Sequence, residues 1–400
     1  MNRSNSILRR AASLAAVAFM LLLSSCGGKD EPDNPVDPKV SRTVLVYMAA
    51  NNSLGSEKVT DSATGITRSL DGWDIYEMEQ AVTDKNSLHG GRLLVFQAPY
   101  RGTQRLIEIT PKGAQELKTY TSTQSSVSAA RMSEVLSDVK SLANADDYGL
   151  VLWSHGSGWI EESNSRAAAQ PRSWGEDNSN KMKITTLANV IRDSGMNPSF
   201  IYFDACFMGC VEIIYQLRNL TKEIVASGTE LQIYGMNYTR NVPVFFAKDR
   251  TLETAARNTF DSYQKRDQVG VDYSDCTISY FRTEAIDEFA RATRAIMETG
   301  ATVPDDYEAI RYGSRSFQIY DMPDYIRSMN APAELIDAWN SAYAKLVPYS
   351  AHTAKYGNID TSRYGGMGTY PVKTINDAHD RGYSNYDWWA DVISYNPSIK

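Results

Sequence analysis

The sequence predicts an α/β fold: a three-layer α/β/α sandwich around a mainly parallel sheet. Three observations carry that prediction. Short, continuous apolar runs recur along the chain, as expected of strands that are dry on both faces. Stretches of helical period alternate with them, and such alternation gives a parallel sheet covered on both sides. Two of the apolar runs then stop abruptly at reactive side chains, His155 and Cys206.

The first run is Thr43 to Met48, a buried strand, and Leu93 to Phe96 is the second. Leu106 to Ile109 alternates apolar with polar, which reads as an edge strand. Ser128 to Ala143 has helical periodicity, with Ser128 as its N-cap. Tyr148 to Trp153 is the third buried strand. Thr185 to Asp193 is helical and stops at Gly195. Phe200 to Phe203 is the fourth strand, and a helix from about Gly209 to Asn219 places Cys206 at a strand-to-helix junction. Glu223 to Ser227 and Cys276 to Phe281 are the fifth and sixth buried strands. Helices are expected over Leu252 to Tyr263, Glu284 to Glu298 and Ala333 to Leu346. A polar segment from Asn164 to Asn180 breaks this rhythm beside His155. It reads either as a mobile or processing loop or as a plain surface loop.

The 400 residues suit one large domain or two ordinary ones, and the formal net charge of −7 without a long basic run argues against nucleic acid as a partner. The N-terminus carries Arg3, Arg9 and Arg10, then an apolar stretch from Ala11 to Leu23 that is too short to span a bilayer. Leu23-Ser24-Ser25-Cys26 resembles a bacterial lipobox. That resemblance implies a signal peptide over 1–25, lipid on Cys26, and a membrane anchor. Residues 26–40 are Gly-, Asp- and Pro-rich and read as a flexible tether. Lys29-Asp30-Glu31 resembles the surface-export signal of Bacteroidetes lipoproteins, which implies the outer face of the outer membrane. The globular domain is then 41–400.

Beyond Cys26 the thiols are Cys206, Cys210 and Cys276, an odd number that does not make a disulfide scaffold. Cys210 and Cys276 are either a pair or buried free thiols. In open parallel sheets ligands gather beyond the carboxyl ends of the strands, where both His155 and Cys206 fall. A thiol beside an imidazole is a nucleophile and its base. The helix after Cys206 is expected to lend its positive end to the sulfur. Gly156 and Gly158 permit close backbone approach, and the N–H groups of Gly156 and Cys206 are candidate oxyanion donors. His89, His352 and His379 lack comparable flanks.

Trp153-Ser154-His155-Gly156-Ser157-Gly158-Trp159, followed by Asp204-Ala205-Cys206-Phe207-Met208 and Glu212, resembles the clostripain family of cysteine peptidases, in the wider group of caspases, legumains and gingipains. Weaker likenesses lie in Tyr47-Met48-Ala49-Ala50-Asn51-Asn52, in Gly235-Met236-Asn237-Tyr238, and in Gly365-Gly366-Met367-Gly368-Thr369-Tyr370-Pro371, so the resemblance spans most of 42–371. It implies a caspase-like sheet, a His155/Cys206 dyad, cleavage after Arg or Lys, and self-cutting between the His and the Cys. The site for that cut falls within 160–183, with Arg166 and Arg172 as candidates and Lys181 and Lys183 as fallbacks. A basic substrate side chain needs an acid. Asp204 matches the family's pocket acid and Glu230 is a second candidate; a structural hydrogen bond and a solvated loop acid are their respective alternatives. Asn51 stands where many relatives carry Asp. Some relatives need calcium, but no EF-hand-type loop is present; Glu176-Asp177 reads as a solvated acidic turn, with a cation site as the alternative. No cofactor is expected, calcium being the alternative.

The implied protein is a monomer acting on protein or peptide substrates, either intact or as two associated chains. The rival reading is a non-catalytic surface lipoprotein binding peptide or glycan through its 24 tyrosines and seven tryptophans. A transpeptidase using the same dyad is a second rival. The aromatic C-terminus around Trp388 and Trp389 is either packing or a substrate wall.

Overall fold

The computed structural model describes residues 39–61, 64–160, 173–265, 275–304, 307–308, 310–312 and 319–400. Cys26, the signal and tether segments up to residue 38, Arg166 and Arg172 lie outside the described residues.

The first strand, β1 (Val40–Ala49), sits inside the sheet. Leu45, Tyr47 and Ala49 enter one core, whereas Val44, Val46 and Met48 enter the other. Alternate side chains point to opposite faces, so a continuous apolar run means both faces are dry. Next come α1 (Ser53–Ser56), α2 (Leu70–Ala81), β2 (Arg92–Ala98), β3 (Gln104–Thr110) and β4 (Gly113–Tyr120). Then α3 (Ala129–Leu142) leads into β5 (Ala145–Trp153). A hairpin of β6 (Trp174–Asp177) and β7 (Asn180–Met182) precedes α4 (Ile184–Ser194) and β8 (Phe200–Asp204). The later elements include α5 (Val211–Gln216), β9 (Glu223–Ala226), α6 (Tyr238–Phe246), α7 (Leu252–Lys265), β10 (Thr277–Arg282), α8 (Ile286–Glu298), α9 (Ala333–Leu346) and β11 (Tyr349–His352).

Among the described residues the sheet has nine strands in the order β11-β10-β9-β8-β5-β1-β2-β3-β4. The central five, from β9 to β2, are parallel. The two outer strands on each side are antiparallel to their neighbours. One face is covered by α3, α4, α5, α8 and α9, and the other by α2, α6 and α7. This is the expected mainly parallel α/β/α sandwich. Ser128 caps α3 by accepting from Arg131 N, and Gly195 ends α4 at φ +62°, both as expected.

Three expectations need correction, and one edge of the sheet holds more than the apolar runs announce. The run Leu106–Ile109 is not an edge: β4 pairs outside it, and β4 escaped notice because both its faces carry half-exposed or exposed side chains. The sixth apolar run is antiparallel to its neighbour, and β11 adds a short strand beyond it. The helix after Cys206 starts at Val211 and holds six residues. The segment from Asn164 to Asn180 is not loop throughout, since β6 brings a fully buried Trp174 against Tyr47, with ring centroids 5.8 Å apart. The described thiols Cys210 and Cys276 are both buried and free.

The aromatic C-terminus is packing. Trp159 is fully buried, stacked on Tyr383 at 4.6 Å, with Tyr386 at 5.0 Å and Tyr370 at 5.9 Å. Aromatic pairs in such geometry contribute beyond their buried area. The C-terminal segment therefore locks onto the chain four residues past His155.

Candidate active site

Three adjacent parallel strands, β8, β5 and β1, end at the same edge of the sheet. Trp153 of β5 is in register with Asp204 of β8 and with Met48 of β1. Cys206 and His155 thus each stand two residues beyond one register line. They line a common cleft of about 310 Å³, with Leu54, Asp204, Glu230, Gln232 and Tyr356 among its walls. A second hollow shares His155 and Gly156 and continues toward Ser53, Glu176 and Lys181. A cavity of about 360 Å³ elsewhere, lined by Met322, Tyr325 and Val372, contains no thiol or imidazole, so size does not pick out the reactive site.

The turn that presents Cys206 is pinned on both sides. Phe207 adopts φ +59°, in the left-handed region that side chains other than glycine rarely adopt. Its N–H donates to Thr229 O at 2.8 Å, and Gly209 N–H donates to Ser227 O at 2.7 Å. Gly156 packs flat against this turn; a Cβ there would stand 2.2 Å from Cys206 O, so only glycine fits. The Gly156 N–H reaches the Cys206 sulfur, and Leu231 N–H donates to it at 3.3 Å. The thiol itself donates to Leu231 O at 3.4 Å. With the helix withdrawn to Val211, backbone N–H groups rather than a helix end face the sulfur.

Burial pushes the Cys206 thiol up to about 11, and Glu230 and Asp204 add to the rise against the backbone donors. Burial also lowers His155. The resting pair is therefore a neutral thiol and a neutral imidazole. Rapid labelling of a preformed thiolate is not expected of the free cleft, and His155 is left to act by accepting a proton.

His155 is placed by residues that the sequence reading passed over. Its Nε2 meets Ser53 Oγ at 2.7 Å. Ser53 opens α1, which Asn52 caps by accepting from Leu54 N. Asn52 Nδ2 in turn donates to Ala49 O and Glu176 O, both at 2.8 Å. The available signal was the polar Asn51-Asn52-Ser53 step at the end of the strand next to His155. Glu176 and Lys181 pair at 3.5 Å on the far side of the imidazole. Asp177 is not a solvated acid. It is buried, and its carboxylate accepts from Asn51 Nδ2 at 2.7 Å and from Ser126 N at 2.6 Å. Asn51 is thereby tied to the hairpin.

Asp204 is 4% exposed and lines the cleft. It accepts from Met236 N and from the Tyr238 hydroxyl, both at 3.1 Å. Burial raises its carboxyl to about 7, with Glu77 contributing. Glu230 is exposed at the cleft rim. Glu212 does not reach the cleft; it is buried and accepts from Thr369 Oγ1 and Tyr370 N, each at 2.9 Å. Among the described residues no helix is long and apolar enough to cross a membrane.

A thiol and an imidazole brought together at the carboxyl edge of a doubly covered parallel sheet define the class as α/β/α cysteine peptidases. A sequence profile of the clostripain family, peptidase C11, matches residues 46–364, and the chain belongs to that family. Solved structures agree. A secreted C11 cysteine protease from Bacteroides thetaiotaomicron, in complex with an irreversible peptide inhibitor, is 25% identical with a TM-score of 0.73. The match covers 88% of this chain and 98% of that one. An inactive zymogen C11 protease from Parabacteroides distasonis is 26% identical with a TM-score of 0.71, covering 89% of this chain and 99% of that one. No curated protein matches the chain.

Proposed function

We propose that the protein is an endopeptidase that cleaves after Arg or Lys, with Cys206 as nucleophile and His155 as its base. The observation that carries this reading is a cleft holding thiol, imidazole and a buried carboxylate, Asp204, that no lysine or arginine of the described residues neutralises. A cationic substrate side chain would supply the missing charge. His155 takes the Sγ proton as sulfur bonds to the scissile carbonyl carbon. The oxyanion is held by the N–H groups of Gly156 and Cys206. Collapse breaks the C–N bond, and the imidazolium protonates the departing amine, leaving a thioester. Water, deprotonated by His155, then releases the acid and restores the thiol. No cofactor enters these steps. Self-cutting at Arg166 or Arg172 and lipidation at Cys26, with display on the outer membrane surface, complete the proposal. The sequence features given above support both.

Fluorogenic peptides ending in Arg, Lys or Asp test the reading. Turnover of the Arg or Lys peptide at least about 10²-fold above the Asp peptide is expected, that being the discrimination one buried charge pair provides. Equal turnover of all three would sink the specificity. Ser53→Ala should lower kcat about tenfold with KM nearly unchanged, since Ser53 only orients the base. Steady-state kinetics decide this, and an unaltered kcat would show that the 2.7 Å contact does not guide His155.

A further inference from the structure

Behind Asp204 lies a second set of carboxylates that does not touch the cleft. Asp74 and Glu77 stand three residues apart on α2, so they share one face of the helix. Both are buried. Trp153 Nε1 donates to Asp74 Oδ2 at 2.6 Å. Trp73 Nε1 donates to Glu77 Oε1 at 3.2 Å. Tyr238 connects the two layers: its backbone N–H donates to Glu77 Oε2 at 2.7 Å and its hydroxyl donates to Asp204 Oδ2 at 3.1 Å. Asp71, one helical turn earlier, holds Gln97 with one oxygen and leaves the other buried without a hydrogen-bond partner. Hydrogen bonds orient these groups, but neither Asp74 nor Asp204 has a cationic partner among the described residues. Facing Asp204 are Asp74 and Glu77 from α2, Tyr238 from α6, Tyr263 from α7, Tyr202 from its own strand, and the Cys206 thiol.

Asp74 and Asp204 are both buried, and burial with the nearby Glu77 raises both carboxyls, so in this dry interior they resist ionising together and titrate as a pair. A cation arriving at Asp204 changes that balance. Resting on the assignment of Asp204 to the basic-residue pocket, we infer that Asp74 and Glu77 form a second negative layer, joined to Asp204 through Tyr238, that tunes selection of a cationic side chain, and that the set releases a proton to solvent when such a side chain binds. Asp74 and Glu77 are positioning residues in this scheme, since they act through Asp204. Asp74 moves upward with burial, Glu77 and Asp204 together, in keeping with a shared proton.

Benzamidine, a small amidinium that mimics an arginine head, serves as the probe. Its binding to the folded chain is measured by calorimetry from pH 5 to 9 in buffers of different ionisation enthalpy. The wild type should release a proton below neutral pH, with affinity rising about tenfold per pH unit up to a midpoint near 7. Glu77→Gln and Asp74→Asn should each move that midpoint down by about one pH unit, because a like charge is removed. Tyr238→Phe should move it up, because a hydrogen bond to the ionised form is lost. Binding without proton release in the wild type overturns the inference and needs no variant. An unmoved midpoint in both carboxamide variants overturns it too, provided Asp204→Asn loses binding. If Asp204→Asn binds benzamidine as well as the wild type, or the wild type does not bind it, the pocket assignment itself falls.

Discussion

Cys206→Ala is expected to remove peptide cleavage, lowering kcat/KM by about 10⁴-fold or more, the scale of losing a nucleophile that acts as a unit with its base. The fold should survive. Cys206 lies in a turn pinned by Phe207 N–H, Gly209 N–H and the flat packing of Gly156, none of which needs the sulfur. The contacts of the thiol with Leu231 and with the Gly156 N–H are lost, about 1 kcal/mol each by ordinary hydrogen-bond energetics. Denaturant midpoints beside peptide turnover separate the two effects. Residual turnover near wild type would remove Cys206 from the chemistry.

The second large effect is expected at Asp204. Asp204→Asn keeps the shape of the cleft and an acceptor for Tyr238, but it removes the charge that a substrate cation would meet. Truncating one partner of a buried charge pair costs about 2–5 kcal/mol, so kcat/KM for Arg and Lys peptides should fall by roughly 10²-fold or more. In the wild type, the same carboxyl sets a pH dependence. Its folded value, about 7, lies above the 3.8 of a free carboxyl. Its contribution to stability is therefore present below about pH 4 and is lost as pH rises through 7. Cleavage of basic peptides should run the other way, climbing as Asp204 ionises, while the Asn variant shows no such climb. A parallel profile in the variant would assign the titration elsewhere.

The parallel centre of the fold was legible because burial on both faces writes itself as uninterrupted apolar runs, as in β1, β5 and β8. The outer strands were not. The sequence of β4, Gly113 to Tyr120, has no dry face to announce it, and the four residues of β11 are too few to show a period. Within the cleft, His155 and Cys206 stood out because each ends such a run. Ser53 and Leu231 did not, since one acts by a single hydroxyl contact and the other through its backbone, which every residue carries. The state of the thiol was also out of reach. Burial, which raises it, depends on the segment from Ser227 to Gly235 folding over the turn.

The order of strands has a consequence for any cut between Ile160 and Ser173. Such a nick would divide the sheet at a single seam, β5 on one piece and β8 on the other. Each separated piece would expose a long unpaired parallel edge, and Trp159 would leave its nest of Tyr370, Tyr383 and Tyr386. The pieces should therefore elute as one particle from a sizing column and part only in denaturant. Recovery after that would be a bimolecular event, its rate set by fragment concentration, whereas the uncut chain refolds at a rate independent of dilution. Processing of that kind would be nearly invisible in the native particle and would show itself in how slowly the dilute, separated pieces come back together.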